Sequence, residues 1–536
     1  MKRVILVILG TFALGLWSEV FAESFGCPRL YPSHNPMSGT SFAKTYGGTD
    51  DDGAFSVQQT SDGGYIVAGT TWSFGAGGAD IFLIKTDANG NRIWTKTYGG
   101  TNDDTASSVQ QTSDGGYIVA GRTYSFGAGD GDIILIKTDE NGNIQWAKTY
   151  GGTRWDYASS VQQTSDGGYI VAGATSSFGA GWDDDIFLIK TDANGNIQWA
   201  KTYGGTYGDW AYSVQQTSDG GYIVAGRTYS FGAGDGDIIL IKTDENGNIQ
   251  WAKTYGGTRW DYASSVQQTS DGGYIVAGAT SSFGAGWDDD IFLIKTDANG
   301  NIQWAKTYRG ASGDGAFSVQ QTSDGGYIVA NYTFSFGAGW NDIFLIKTDA
   351  NGNIQWAKTY GGTSWDGAFS VQQTSDGGYI VAGYTYSFGA GGLDIFLIKT
   401  DANGNIGSCS IVQNVNPTVN TVSPTVTTPS LSVSSVSPIV NSVSPTVTSP
   451  TLTVSSPCPL SISESCQPVS GIITQHKGGI KVSVSEEFEV KVYNVSGGVV
   501  KSVKGKNEVK IELSRGVYFV EVVSGGKVIR EKVIIR

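Results

Sequence analysis

Histidine is almost missing from this chain. The 536 residues contain two, His34 and His476, and both lie outside a long repetitive region. That region has no cysteine between Ser41 and Ser408, and its only glutamates are Glu140 and Glu245. A general base with a pKa near neutrality is therefore scarce. No catalytic residue is assigned and a non-enzyme is expected; a glycan hydrolase working through two aspartates is the less favoured alternative. Positive charge is also short: 35 Lys+Arg stand against 49 Asp+Glu, a net of −14. Residues 470–536 hold 12 Lys+Arg and 7 Asp+Glu, a net of +5, so the remainder carries −19. So acidic a body argues against nucleic-acid binding, which needs cations facing phosphates.

Long apolar runs are absent apart from one. After Lys2 and Arg3 comes "VILVILGTFALGLW", then "VFA" ending at Ala22. A basic start, a short apolar stretch and a small residue at the cut read as a signal peptide, residues 1–22. A membrane anchor fits less well because the run is short for a span. No other stretch could cross a bilayer as a helix. Export agrees with the four cysteines, Cys27, Cys409, Cys458 and Cys466, none at metal-ligand spacing. Of three possible pairings, Cys27–Cys409 and Cys458–Cys466 is the simplest expectation in an oxidising compartment. A lipoprotein reading of Cys27 is weaker, since "SFGC" lacks an upstream aliphatic residue.

What is present is repetition. "SDGGY" recurs with its Asp at 62, 114, 166, 219, 271, 324 and 376, steps of 52 or 53 residues. Ser108–Tyr203 and Ser213–Tyr308 are identical over 96 residues. Each unit holds four strand signals: "SVQQT", "GYIVAG", "DIFLIKT" and "IQWAKTY". "DANGN" between the last two has the Asn-Gly of a hairpin turn, and no 3.6-residue pattern persists. Four antiparallel strands repeated seven times predict an all-β, seven-bladed β-propeller over residues 41–409, after an N-terminal lead at 23–40. A β-solenoid would not favour a hairpin in every coil. The seventh unit stops at "NGNIGSCS" without its fourth strand. "FAKTYGG", starting at Phe42, matches the missing "WAKTYGG", so the N-terminal segment is expected to close the ring, stapled by Cys27–Cys409.

The units resemble bacterial β-propeller repeats with a W…GG…D-x-A…DG-x-Y-V-x-G-x-T-x-S signature. "WAKTYGGTRWDYASSVQQTSDGGYIVAGATSSFG" carries each element. The resemblance covers about residues 41–408 and implies the fold but no reaction. Kelch repeats fit the spacing less well. "TSDGGY" partly resembles the Asp-box of sialidases through Thr60, Asp62 and Gly64, but lacks its tryptophan and is read as a turn.

Loops should alternate between two faces. "SDGG" and "DANGN" make one face nearly uniform. The other varies from unit to unit. Its first loop carries Arg154, Trp155, Tyr207, Arg259, Trp260 and Trp365, and its second carries Trp182, Asp183, Trp287, Asp288 and Trp340. This rim is the expected binding surface for a glycan or a protein, because aromatics beside carboxylates suit sugars or a partner's anchors. Packing of these aromatics between blades is the competing reading, and a structural surface protein without a defined ligand is the alternative function. Calcium is the only cofactor considered, through the acid clusters "TDDDG" at Thr49–Gly53 and "WDDDI" at Trp182–Ile186. Neither follows the spacing of a calcium loop, so no metal ligand is assigned.

Residues 410–469 are Ser, Thr, Pro and Val, with nine of the chain's twelve prolines between 417 and 468. This composition reads as an extended, semi-rigid spacer. Strand signals return over 470–536, suggesting a small β-sandwich. "VKVYNVSGGVV" and "IELSRGVYFVEVVSGGKVIREKVIIR", with Gly516-Val517-Tyr518, resemble the type A C-terminal sorting domain of type IX secretion cargo. That resemblance implies passage through the outer membrane by the type IX machinery, then release or surface attachment. A generic adhesive β-sandwich is the alternative.

Overall fold

The computed structural model describes residues 41–179, 183–284, 288–407, 409–450, 452–458, 473–476, 479–494, 499–514, 516–524 and 527–535. The signal peptide, Cys27, Cys466, Trp182 and Trp287 lie outside the described residues. The chain divides into two compact units, one of residues 36–459 and one that includes the C-terminal residues from 460.

The larger unit is a seven-bladed propeller, and among the described residues it contains no helix. Blade 1 shows the pattern: Asp52–Gln59, Tyr65–Thr71, Asp80–Thr86 and Arg92–Gly99, each antiparallel to the next. The second and third strands are buried on both faces, hence their unbroken apolar runs "YIVAG" and "DIFLI". Side chains from neighbouring blades interleave in seven junction cores. One of these joins Ile118 and Leu135 of blade 2 to Tyr169 and Phe187 of blade 3.

Each conserved polar position serves a junction. The first strand is an edge strand whose free N–H groups face the axis. Val109 N–H donates to Ser56 Oγ at 3.2 Å and Gln111 N–H to Gln58 Oε1 at 2.6 Å. The return bond runs from Ser61 N–H to Gln111 Oε1 at 2.8 Å. The same set closes the ring, with Gln59 N–H on Gln372 Oε1 and Ser375 N–H on Gln59 Oε1. "SVQQT" is thus a side-chain substitute for the partner strand that the inner edge lacks. At the outer strand, Tyr98 donates its hydroxyl to Gly142 O at 2.7 Å, and Trp94 packs edge-on against Tyr117 at 5.9 Å. Gly142 has φ +73°, and an added Cβ would meet the Trp94 ring and the Tyr98 hydroxyl at 3.0 Å. The Asn-Gly turn is required by both backbone and packing.

Blade 7 takes its fourth strand from Phe42–Gly47, which pairs with Asp394–Thr400 from Phe42↔Lys399 to Tyr46↔Ile395. Phe42 occupies the tryptophan position and packs edge-on against Tyr65 at 6.1 Å.

The Ser/Thr/Pro/Val segment corrects the expectation of a spacer. It is extended, but it is a belt. Val412–Asn414 pairs with the outer strand of blade 6 and Thr418–Thr421 with that of blade 5. Thr425–Thr427, Ser432–Ser435, Ile439–Ser442 and Thr446–Thr448 follow on blades 4, 3, 2 and 1. Thr453–Ser455 ends it on Phe42–Gly47 of blade 7. Every blade therefore has a fifth strand, laid down in reverse chain order. All seven contacts are antiparallel, so the prolines and their neighbours must return the chain between blades.

The register has a seven-residue period. Val412, Val419, Val426, Val433, Val440, Val447 and Val454 each face the buried tyrosine of an outer strand. Three residues later, Val415, Val422, Val436 and Val443 donate N–H to Ala357, Ala305, Ala200 and Ala147. Their side chains pack on the junction cores. Pro429 and Pro450 hold this position in the other two central units, where Leu431 and Leu452 supply the apolar contact instead. The hydroxyls have partners as well: Thr448 and Thr427 meet Thr97 and Thr254 at 2.6 Å.

The disulfide also differs from expectation. Cys409 is bonded to Cys458, 49 residues on. The belt starts and ends beside blade 7, which brings these two cysteines together, with Cα atoms 5.3 Å apart. The bond turns the belt into a closed hoop.

The C-terminal unit is one antiparallel sheet in the order Ile473–His476, Gly479–Asn494, Gly516–Ser524, Lys527–Ile535, with Val499–Glu512 also paired to Gly479–Asn494. Ile480, Val482, Val490, Val492, Val520 and Val522 form its core. The Gly516-Val517-Tyr518 motif opens the third of these strands, and Tyr518 shares a hydrogen bond with Ser514 at 3.0 Å.

A disulfide closing a loop of this length contributes about 4 kcal/mol in the chain-entropy model. Cys409→Ser should lower stability in guanidinium unfolding by about that amount and expose residues 411–458 to proteases first. An unchanged midpoint with an intact belt would mean that strand pairing alone holds the hoop.

Candidate functional site

The two faces differ as the loop pattern implies. On the uniform face, Asp62 accepts Thr60 Oγ1 at 2.5 Å and Gly64 N–H at 3.0 Å, and Lys85 Nζ lies 2.9 Å away. Asp87 is held by Asn89 N–H and by Asn91 through both its backbone and its side chain. These sets recur around the ring and leave this face committed to structure. The axial opening there is narrow, a space of 230 Å³ ringed by seven Val-Gln pairs.

The variable face is open. Trp155, Trp260 and Trp365 are 54, 55 and 52 % exposed, Tyr207 61 % and Trp340 72 %. These are not the tryptophans that pack between blades; that role belongs to the outer-strand residues such as Trp146, edge-on to Tyr169 at 5.9 Å. Arg154, Trp155, Asp183 and Tyr207 come together in one groove of 890 Å³ between blades 2 and 4, with Trp210 and Tyr229 at its base. Trp260 lies at the mouth of the axial cavity instead. Arg259 is half-buried, with its guanidinium on Ser281 O at 3.4 Å, and Asp288 is exposed. Trp340 and Trp365 sit on blades 6 and 7, so the expected rim residues form several patches and not one site. The acid clusters serve the loops: Asp51 accepts Leu393 N–H at 2.8 Å, Asp52 accepts Gly48 N–H at 2.8 Å, and Asp184 takes the Trp210 indole at 2.7 Å and the Ser176 hydroxyl.

A cavity of 1090 Å³ opens at the axial mouth on this face. Its wall comes from positions inside strands, which attention to loops passes over. They are the two variable residues of "DxAxS" and the variable residue of "VAGxT". In blades 6, 7 and 1 these are Phe317, Phe369, Phe55, Tyr332 and Tyr384, in ring contact at 4.8 to 5.6 Å. In blades 2 to 5 they include Arg122, Tyr212, Arg227 and Tyr262, with Ser107, Ser159 and Ser264. The signal was in the sequence: these are the positions at which otherwise uniform strands differ.

Beneath the face, paired carboxylates cross each junction. Asp80 at the start of a third strand and Asp104 at the start of the next blade are both buried. Gly99 makes room for them: a Cβ there would overlap the Asp80 carboxylate and meet Asp104 Oδ2 at 2.9 Å. Burial, with the Asp104 charge adding to it, pushes Asp80 up to about 6. Burial likewise lifts Asp156, Asp237, Asp342 and Asp394 to about 6. Oδ1 of Asp80, Asp237 and Asp394 has no hydrogen-bond partner. On the uniform face the balance reverses. Burial opposes ionisation of Asp271 and Asp324, but the lysine and threonine partners outweigh it and bring both to about 2.

Residues 475–536 match the secretion system C-terminal sorting domain. Among curated proteins, the regulatory protein FlaEY of Caulobacter vibrioides is 27% identical over 278 residues, covering 48% of this chain and 26% of that protein. The chain thus spans about a quarter of that relative's length. The sorting domain engages the type IX secretion machinery and sends the chain to the cell surface or the extracellular space. Among the described residues, no helix is long and apolar enough to cross a membrane.

The two carboxyl classes set a pH dependence. The junction carboxyls bind protons more tightly folded than unfolded, so their stabilisation is present below the ordinary value of 3.8 and is lost as pH rises to about 6. The lysine-paired carboxyls contribute above 3.8, and their stabilisation is lost as pH falls towards about 2. The melting temperature should therefore peak near pH 4 to 5 and fall by pH 7. Calorimetry across pH 2 to 8 checks this, and a melting temperature still rising from pH 5 to pH 7 contradicts it.

Proposed function

We propose that this exported propeller is a binding protein that takes a glycan on its variable face. One observation carries the reading. The chain spends nearly all its sequence variation on one face, and there it exposes large aromatics that the fold does not use. Exposed tryptophan on a rigid scaffold gives flat apolar area at low entropic cost, which suits the C–H faces of sugar rings. The groove holding Trp155, Tyr207, Arg154 and Asp183 adds donors and acceptors for hydroxyls. A protein ligand anchored on the same tryptophans is the second reading, supported by their scatter over several blades.

Screening the secreted chain on a glycan array should give saturable binding. Trp155→Ala and Trp340→Ala should each weaken it roughly tenfold if their ring is in contact. Hydrolysis of an arrayed glycan would replace the binding reading with an enzymatic one. Absence of binding to every glycan would leave a structural surface protein.

A further inference from the structure

We infer that the axial cavity is a subsite for an acidic sugar, its ring against the phenylalanine wall and its anionic group between Arg122 and Arg227. This rests on the reading of the variable face as a glycan-binding surface and names the ligand class.

The propeller is strongly acidic, and each of its third-strand lysines is paired with an aspartate. Arg122 and Arg227 are different. Among the described residues neither forms an ion pair; they lie over aromatic rings, Arg122 on Tyr124 at 4.6 Å and Arg227 on Trp210 and Tyr229 at 5.0 and 4.6 Å. Nε of Arg227 is buried and has no hydrogen-bond partner. The terminal NH2 groups of Arg227 are then the donors that an incoming anion would meet.

The two arginines line the same cavity. They come from the duplicated segments, Ser108–Tyr203 and Ser213–Tyr308, and occupy the same position in blades 2 and 4. The carboxylates of the cavity wall form no ion pair with them among the described residues. Asp51 and Asp52 accept backbone N–H groups, and Asp289 takes the Ser281 hydroxyl.

The opposite wall fixes the rest of the ligand. Phe55, Phe317 and Phe369 form a contiguous apolar surface with ring centroids 5.0 and 4.8 Å apart. Hydroxyls surround it: those of Tyr262 and Tyr332 both reach within 4.0 Å of where a Gly315 Cβ would stand. Aromatic faces, hydroxyls and a fork of two guanidiniums match a pyranose bearing a carboxylate or a sulfate. A neutral sugar would leave the arginines unsatisfied, and a purely apolar acid would leave the hydroxyls so. The narrow glutamine ring closes the far end, which favours the end of a chain over its middle.

Titration calorimetry on the secreted full-length chain tests this with trigalacturonate, a sulfated galactan trisaccharide and neutral galactotriose. An acidic probe should bind at least tenfold more tightly than the neutral one, and the two acidic probes tell carboxylate from sulfate. Arg122→Gln and Arg227→Gln should each cost roughly 10- to 100-fold for that probe and leave galactotriose binding unchanged. Arg122→Lys, which keeps the charge without the fork, should fall between. Phe369→Ala should weaken acidic and neutral probes alike. Melting temperatures within a few degrees of wild type certify folding; if Arg227→Gln fails this, Arg122→Gln decides. Equal binding of all probes, or acidic binding indifferent to both arginines but lost in Trp155→Ala, overturns the inference and leaves the glycan reading standing. Failure of every probe here and on the array overturns both.

Discussion

The unpaired edge of a β-strand is the constraint that this molecule is built around. Seven separate sheets present fourteen edges, and each edge exposes N–H and C=O groups that would template aggregation. The inner edges cannot take another strand, because seven inner strands already crowd the axis. Ser and Gln side chains of the neighbouring blade bond them instead. The outer edges have room for a strand, and the belt supplies one to each. The invariance of "SVQQT" and the Ser/Thr/Val composition of the belt are two answers to one problem, matched to the space available at each radius.

The belt also explains why the ring's seam is secure. Phe42–Gly47 is an inserted strand, distant in sequence from the rest of blade 7 and thus the piece with the most entropy to lose on docking. It lies between Asp394–Thr400 and the last belt strand, Thr453–Ser455. Cys409 follows the first of these by nine residues and Cys458 follows the second by three. One disulfide therefore fixes both neighbours of the seam. The chain travels the whole circumference to reach this point, so the bond can form in register only when all seven blades have received their fifth strand.

The propeller was legible from residues 41–409 because seven copies leave little freedom: a strand signal read once is read seven times. Closure through Phe42 was legible for the same reason. The belt was not, although valine recurs every seven residues from Val412 to Val454. Its strands are three or four residues long, too short for an alternating pattern to stand out, and the prolines between them suggest a spacer. They are strands only because an edge is waiting. The disulfide expectation failed for a related reason: Cys409 and Cys458 look remote until the belt is wrapped. At the candidate site, the exposed loop tryptophans could be picked out, but not their distribution among separate grooves. The cavity wall escaped because strand positions were read as scaffold.

That last point bears on how such a repeat protein can acquire a site. Duplication yields a symmetric funnel, and a symmetric funnel lined by one residue type recognises little. Here the symmetry is broken at three strand positions per blade and in the loops of the same face. Blades 6, 7 and 1 carry phenylalanine and tyrosine, whereas blades 2 and 4 carry arginine and blade 3 only Ser159. Because each position lies inside a strand held on both sides, its side chain projects from a rigid backbone. Little ordering entropy is then lost when a ligand docks. At six of the seven junctions the paired carboxyls pack against the first glycine of "YGG", and at the junction after blade 5 Arg309 stands there instead. Variation is thus confined to residues that face the axis or the rim, and a change of ligand requires new side chains but no new fold.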